Sequence, residues 1–359
     1  MEESFIPPPE DLPFEEVILA LLDKEQVLDP IFLYRLSDIN LDDLSSLSQI
    51  WGDIHLERRR ALIEDLEHLT DTNTLLSFEP VFRLALTDED EQVLFFAIRA
   101  IEVFDTDDLI PFFLTVLKGE NSVDLRAVTA SVLGKYIYRG ELDKIAKNQQ
   151  IEIEDHLLNV LEDDKHHEVQ LRALEAISFS SRAEVRDQIL KAYQSDHEDW
   201  IASALFAMGR SYDHDYSDKV VDKLQHTSPK IRLEAVRASG ELTIEDSVPI
   251  ILDLLHDLPE IRSTAIWTLS QIGGEDVGPA IRGLLDDEIT PEEEELVQQA
   301  LERLDFLEDG VDLSVFDLPL DDDEYILDDY DYQQDEYDDF SDDDIGLDDF
   351  DLDDDLWME

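Results

Sequence analysis

The sequence contains no cysteine, which removes disulfides, thiolate nucleophiles, zinc–thiolate sites and iron–sulfur clusters together. A reducing compartment is compatible with that absence. No run approaches the roughly 18 apolar residues of a membrane helix, and MEESFIPPPEDLPFEE lacks the basic and apolar regions of a secretory leader, so a cytoplasmic location is expected. Positive charge is scarce. The chain has 27 Lys and Arg against 91 Asp and Glu, a formal net charge of −64. Such a chain repels phosphate backbones and anionic membranes, so neither nucleic acid nor membrane is expected as a direct partner. A protein partner with a basic surface is physically easier.

Motifs that carry chemistry are missing as well. There is no Gly-rich phosphate cradle, no nucleophile elbow and no zinc spacing among the nine His. The twelve-residue calcium loop needs Gly at position six; Asp342 to Gly346 places it at position five. No catalytic residue, cofactor or metal ligand is expected.

What the 359 residues do contain is a repeat, and with 43% hydrophobic residues they can bury a sizeable core. An apolar residue is followed by a small residue four positions on, and by small or apolar residues at seven and eight. Seven copies begin at Val93, Leu125, Val169, Trp200, Ile231, Ile261 and Leu296, separated by 32, 44, 31, 31, 30 and 35 residues. Positions 0, 1, 4, 5 and 8 share one side of a helix, and position 4 holds Ala97, Ala173, Ala204, Ala235, Ala265 and Ala300. Small residues there let neighbouring helices approach closely.

A second, short apolar helix is predicted before each copy, as in PVFRLAL from Pro80, PFFLTVL from Pro111, VPIILDLL from Val248 and VGPAIRGLL from Val277. Two helices per period make one helical hairpin. Pro229 and Pro259 stand where a helix starts, and Gly134, Gly209 and Gly240, nine positions into the pattern, suit tight packing or a helix end. Gly273 and Gly274 read as a helix stop. One hairpin cannot bury its apolar face alone, so hairpins must stack, and the expected fold is all-α: an α-α superhelix.

The copies resemble HEAT repeats, specifically the phycobilisome-lyase HEAT-like variety, most closely in IRLEAVRASGEL and IRSTAIWTLSQIGG. The resemblance spans about Leu56 to Leu307 and implies an armadillo- or HEAT-type solenoid. Arg126, Arg232 and Arg262, next to the first apolar residue, match a common family feature and are expected to form an ion-pair ladder between repeats. Two enzyme types share the repeat. The deoxyhypusine hydroxylase type holds di-iron through His-Glu pairs inside the second helix, two and three positions after the first apolar residue. Here those positions are Leu171-Arg172 and Ala202-Ser203, whereas His167-Glu168 and His197-Glu198 come earlier. Bilin lyases need no Cys of their own, but nothing in these repeats specifies a tetrapyrrole pocket. An enzyme of either kind is the alternative to a non-catalytic interaction scaffold.

If positions 0, 1, 4, 5 and 8 point inward, positions 3, 6 and 10 lie opposite, on the side that lines the concave surface of a HEAT-type array. They read Arg172, Glu175, Phe179; Ser203, Phe206, Arg210; Glu234, Arg237, Glu241; and Thr264, Trp267, Gln271. Aromatics and Arg dominate interface hot spots, so Phe206, Arg210, Arg237 and Trp267 are the expected anchors of a partner.

Three regions flank or interrupt the array. Residues 1–55 are expected to be an N-terminal helical cap, residues 56–307 the solenoid, and residues 308–359 a disordered tail. In the tail 25 of 52 residues are acidic and none is basic, which leaves the first 307 residues at net −39. Its interspersed aromatics suit basic, partly apolar surfaces. The long 44-residue step implies an insertion, expected as a loop, in which Lys135, Arg139, Lys144 and Lys147 could dock the tail, as could Arg58, Arg59 and Arg60.

Overall fold

Helices α1 (Phe14–Leu22), α2 (Pro30–Tyr34) and α3 (Leu41–Ile50) precede α4 (Leu56–Thr72) in a computed structural model that describes residues 12–286 and 289–308. Seven hairpins follow. They are α5 (Glu79–Ala85) with α6 (Glu91–Ala100), α7 (Ile110–Lys118) with α8 (Val123–Glu141), α9 (Lys147–Asp163) with α10 (His167–Ile177), α11 (Ala183–Tyr193) with α12 (Glu198–Arg210), α13 (Ser217–Lys223) with α14 (Pro229–Glu241), α15 (Val248–Leu254) with α16 (Pro259–Ile272), and α17 (Val277–Gly283) with α18 (Pro291–Glu308). The structure is an all-α solenoid, with no strand among the described residues.

Local chemistry sets the helix ends. Pro occupies the first turn of α2, α5, α7, α14, α15 and α16, where its missing N–H has no intrahelical partner to lose. Asp90 caps α6 by accepting from the Val93 N–H at 3.1 Å, and Asn40 caps α3 by accepting from the Asp42 and Asp43 N–H groups. Gly273 ends α16 with φ 76°, a left-handed conformation that a residue without Cβ adopts at little cost.

Each first helix packs on the second helix of its own hairpin, and the second helices also pack on one another in unbroken succession from α4 through α18. Every inner second helix is therefore flanked on both sides by its neighbours and on a third by its partner. This buries more of it than one apolar stripe. In α14, Ala238 and Gly240 at positions 7 and 9 are buried along with Ile231, Ala235, Val236 and Ser239. All six position-4 alanines are fully buried, and a single apolar cluster runs from Phe14 to Leu304.

The glycines expected to serve tight packing or a helix end take the first role. A Cβ on Gly134 would stand 3.1 Å from the Ala176 Cα, and one on Gly209 would stand 3.0 Å from the Ala238 Cα. Position 9 of one repeat thus fits against position 7 of the next. Gly240 meets Thr268 and Gln271 in the same register.

The long step between the second and third copies does not form the expected loop. Its extra residues lengthen two helices, α8 to 19 residues and α9 to 17. The reason is apolar spacing. Tyr136, Ile137, Ile153 and Leu157 continue the buried seam, and Gly140 lets the Gln150 side chain lie against α8. Three contacts tie the chain before α4 to the first hairpin: Trp51 Nε1 donates to Asp88 at 2.8 Å, the Asp38 N–H donates to the Ser77 carbonyl at 2.8 Å, and the Ser77 N–H donates to Ser37 Oγ at 3.0 Å. Glu308, expected in the tail, still belongs to α18. Residues 309–359, which carry nearly all of the acidic tail, and the Pro7–Pro9 run lie outside the described residues.

Candidate interaction surface

Because successive second helices pack in one register, equivalent positions line up across repeats. Position 6 gives the row Glu175, Phe206, Arg237, Trp267 over α10, α12, α14 and α16. Positions 3 and 10 give parallel rows. Ten of the twelve residues in this grid are at least partly exposed.

Glu175 and Ser203 are the corrections. Both are buried, at 8% and 5% exposure, because the Ser203 hydroxyl donates to the Glu175 carboxylate across the α10/α12 joint. They brace the surface from below and are closed to a partner. Arg172 reaches back to Glu175 at 2.6 Å, and Arg237 pairs with Glu234 at 2.7 Å. Burial pushes the Glu234 carboxyl above its usual range against the pull of Arg237, and nearby Glu175 adds to the rise.

The aromatic members are organised by guanidinium groups. Arg210 lies 4.5 Å from the Phe206 ring centroid and 5.4 Å from that of Phe179. Tyr138 from the extended α8 joins this group, 5.2 Å from Phe179. Arg303 of α18 stands 5.0 Å over Trp267. At the other end of the layer Arg99 covers Phe95 and Phe96 and forms an ion pair with the buried Glu67. Tyr138, Arg303 and Tyr212, which is 54% exposed beside this group, were not marked by the repeat. They fall at positions 13, 7 and 12 of their copies, outside the 3, 6 and 10 series, and only the exposed Arg and Tyr types signalled them.

Most of the basic residues expected to form a docking loop are committed elsewhere. Lys135 Nζ donates to the carbonyls of Glu102 at 2.6 Å and Phe104 at 2.9 Å, and Arg139 is buried against Asp105 and Asp107. Both lie on α8 and fasten it to the turn after α6. Lys147 donates to Gln150 at 2.8 Å, and the Lys144 N–H bonds the Arg139 carbonyl. Arg58 donates to the carbonyls of Asp23 and Gln26, Arg59 pairs with Asp88, and Arg60 with Asp90. The side chains of Lys135, Arg139, Arg58, Arg59 and Arg60 are internal staples, whereas Lys144, between α8 and α9, and Lys147, at the start of α9, are exposed.

The ladder of arginines is present. Arg126 pairs with Asp164, Arg232 with Asp257 at 2.8 Å on two oxygens, and Arg262 with Glu293, each reaching the following repeat. Hydrogen bonds from Arg60 and Arg232 hold Asp90 and Asp257 below the usual carboxylate range. The His-Glu pairs belong to similar joints. His167 and Glu168 open α10, and the His167 ring packs edge-on against Trp200. Glu198 opens α12 and accepts from the Ser228 hydroxyl at 2.6 Å. Among the described residues no group of three His, Asp or Glu is placed to hold a metal ion, and no helix is long and apolar enough to cross a membrane.

Residues 217–302, which form α13 to α18 up to the last turns, match the family model for HEAT repeats. This part of the chain is made of HEAT repeats. No curated protein sequence matches it. Solved HEAT-like neighbours include the complex of CpcE and CpcF of phycocyanin lyase from Nostoc sp. PCC7120, at 18% identity over 62% of this chain and 94% of that one, with a TM-score of 0.43. Human deoxyhypusine hydroxylase is similar at 15% identity over 82% of this chain and 96% of that one, with a TM-score of 0.33. Yeast importin-beta, Kap95p, is similar at 15% identity with a TM-score of 0.47, over 81% of this chain and 46% of that one. These likenesses assign no activity to the HEAT array described here.

Proposed function

We propose that this HEAT-repeat chain is a non-catalytic scaffold that holds a protein partner along the open face of α10, α12, α14 and α16. The observation that carries the reading is the row Phe206, Arg237, Trp267: two aromatics flanking an arginine, in one register on three consecutive helices, each at least partly exposed. Such residues dominate interface energetics when water is excluded around them. Arg172, Phe179, Arg210, Glu234, Glu241, Thr264 and Gln271 complete the contact face, with Glu175 and Ser203 as its buried support.

A basic partner surface fits this chain, whose net charge is −64, because that field accelerates encounter with cations and discourages nucleic acid. Residues 1–55 act as the cap of the array, residues 56–307 as its binding body and the acidic residues beyond as an electrostatic guide, in a protein that works in the cytoplasm. The test is affinity capture with wild-type chain and with the Trp267→Ala, Arg237→Ala double variant, compared protein by protein. Partners held by the wild type should drop out with the double variant. Identical captured sets would remove this face from consideration.

A further inference from the structure

Two fasteners recur between consecutive second helices. Arginine at position 1 bonds both its own hairpin and the next: Arg126 donates to the Leu117 carbonyl at 3.0 Å and pairs with Asp164, and Arg232 donates to the His226 carbonyl at 2.9 Å and to Asp257 at 2.8 Å. Glycine at position 9, as Gly134, Gly209 and Gly240, admits the next helix. The α10/α12 joint has neither. Position 1 of α10 is Gln170, whose Nε2 donates to the Leu161 carbonyl at 3.0 Å. That is the same bond to its own hairpin that Arg126 makes, nine residues back, but the shorter side chain stops there. Asp196 nevertheless stands four residues before Trp200, as Asp257 stands four before Ile261. Position 9 is the buried Ser178, and α10 ends at Ile177, one residue short of it, whereas α8, α12 and α14 run through their glycines.

Other joints that lack a fastener have a substitute. The α12/α14 joint has Ile201 at position 1, but it keeps Gly209 and adds Lys230 paired with Asp199 at 2.6 Å. The α6/α8 joint has Leu94 and Glu102, but Lys135 and Arg139 fasten α8 to the turn after α6. Across α10/α12 the apolar seam continues, and α10 shares less contact with α12 than α8 does with α10, α12 with α14 or α14 with α16. The side chains that cross it include the buried Ser203 hydroxyl on the Glu175 carboxylate, the His167 ring against Trp200, and Arg210 at 5.4 Å from the Phe179 centroid. Water can replace the hydrogen bond of a parted polar pair, but it offers no such replacement to parted apolar surfaces. The first-helix side is tied instead. Arg182, just before α11, pairs with Asp155 of α9 at 2.7 Å, and the Ser180 hydroxyl donates to Glu154 of α9 at 2.9 Å.

We propose that the α10/α12 joint is the hinge of this array. One body ends with α8 and α10, the other begins with α12, α14 and α16, and they pivot about the staple between α9 and the start of α11. A joint tied on one layer and loosely fastened on the other bends in one sense, changing the spacing of α10 and α12. Phe179 and Phe206, on opposite sides of it, move relative to each other, so the hinge sets the curvature of the face between them. It stands on packing alone, whatever that face holds.

The absence of cysteine makes the test direct, because engineered cysteines are the sole sites for nitroxide labels in the full chain. Asp124→Cys with Gln194→Cys spans the α8/α10 and α10/α12 joints; Gln194→Cys with Glu260→Cys spans α12/α14 and α14/α16, and all three positions are exposed. Double electron–electron resonance should give a distance distribution about twofold wider for the first pair than for the second. Gln170→Arg, which supplies the missing rung to Asp196, should narrow the first distribution to the width of the second and leave the second unchanged. Equal widths for the two pairs in the chain without that substitution would overturn the hinge. So would a first distribution that Gln170→Arg leaves as wide as before in a folded chain. If Gln170→Arg does not fold, the comparison of the two pairs decides by itself.

Discussion

Glycine to alanine at position 134 tests whether close approach of consecutive helices is what this array depends on. In an open helix interior the exchange stabilises by about 1 kcal/mol, because glycine loses more backbone freedom on folding. At Gly134 the new methyl would stand 3.1 Å from the Ala176 Cα, 3.2 Å from its carbonyl oxygen and 3.4 Å from its Cβ. Carbon atoms in good contact keep about 3.5–4.0 Å apart. The deficit is a few tenths of an ångström against helix backbone, which cannot rotate aside as a side chain would. Relief requires α8 and α10 to separate, and overpacking of this kind costs about 1–3 kcal/mol. The expected net effect of Gly134→Ala is a loss of about 1 kcal/mol. Gly278, in α17, has nothing within 4 Å of its virtual Cβ, so Gly278→Ala should gain up to about 1 kcal/mol. Urea unfolding followed by circular dichroism, with the slope checked for constancy, reads both variants. If Gly134→Ala stabilises as much as Gly278→Ala does, the helix joint relaxes freely and the spacing is not set by the missing methyl.

Two further outcomes follow from the packing. Asp257 accepts two hydrogen bonds from Arg232 at 2.8 Å, and its depressed pKa means that the folded chain binds fewer protons there than the unfolded chain. Its contribution is present above the ordinary carboxylate pKa of about 4 and is lost as pH falls through the lower folded value. Asp257→Asn should therefore lower the urea midpoint at pH 7, with the gap to wild type closing below about pH 4; a gap independent of pH would show that the pair contributes nothing electrostatic. The hydroxyl of fully buried Tyr136 lies 2.7 Å from Thr106 Oγ1 and donates to the Thr106 carbonyl at 3.2 Å, so Tyr136→Phe should cost about 1–2 kcal/mol, and a neutral result would mean that water or a shift of Thr106 replaces the bond.

Much of this architecture was written in the spacing of residues. A small residue every 30 or so positions, always four after an apolar one, marks all seven second helices, and the six alanines at that position are fully buried. Proline at helix starts and Arg beside the first apolar residue were equally readable, since caps, helix phase and a charge one position from the seam are local properties. Joints between repeats were not. Whether extra residues become a loop or extra turns depends on whether a neighbour offers apolar surface to cover them, and α8 and α9 find it in each other. Whether position 6 is open depends on what the next helix places above it: Glu175 is closed by Ser203 of α12, whereas Phe206 and Trp267 stay partly open and meet arginines at positions 10 and 7 of their own or the next copy. Helical period thus determined which side of each helix faces its hairpin partner, while the stagger between neighbouring hairpins, fixed by contacts such as Gly209 on Ala238, decided which of the remaining residues share a surface.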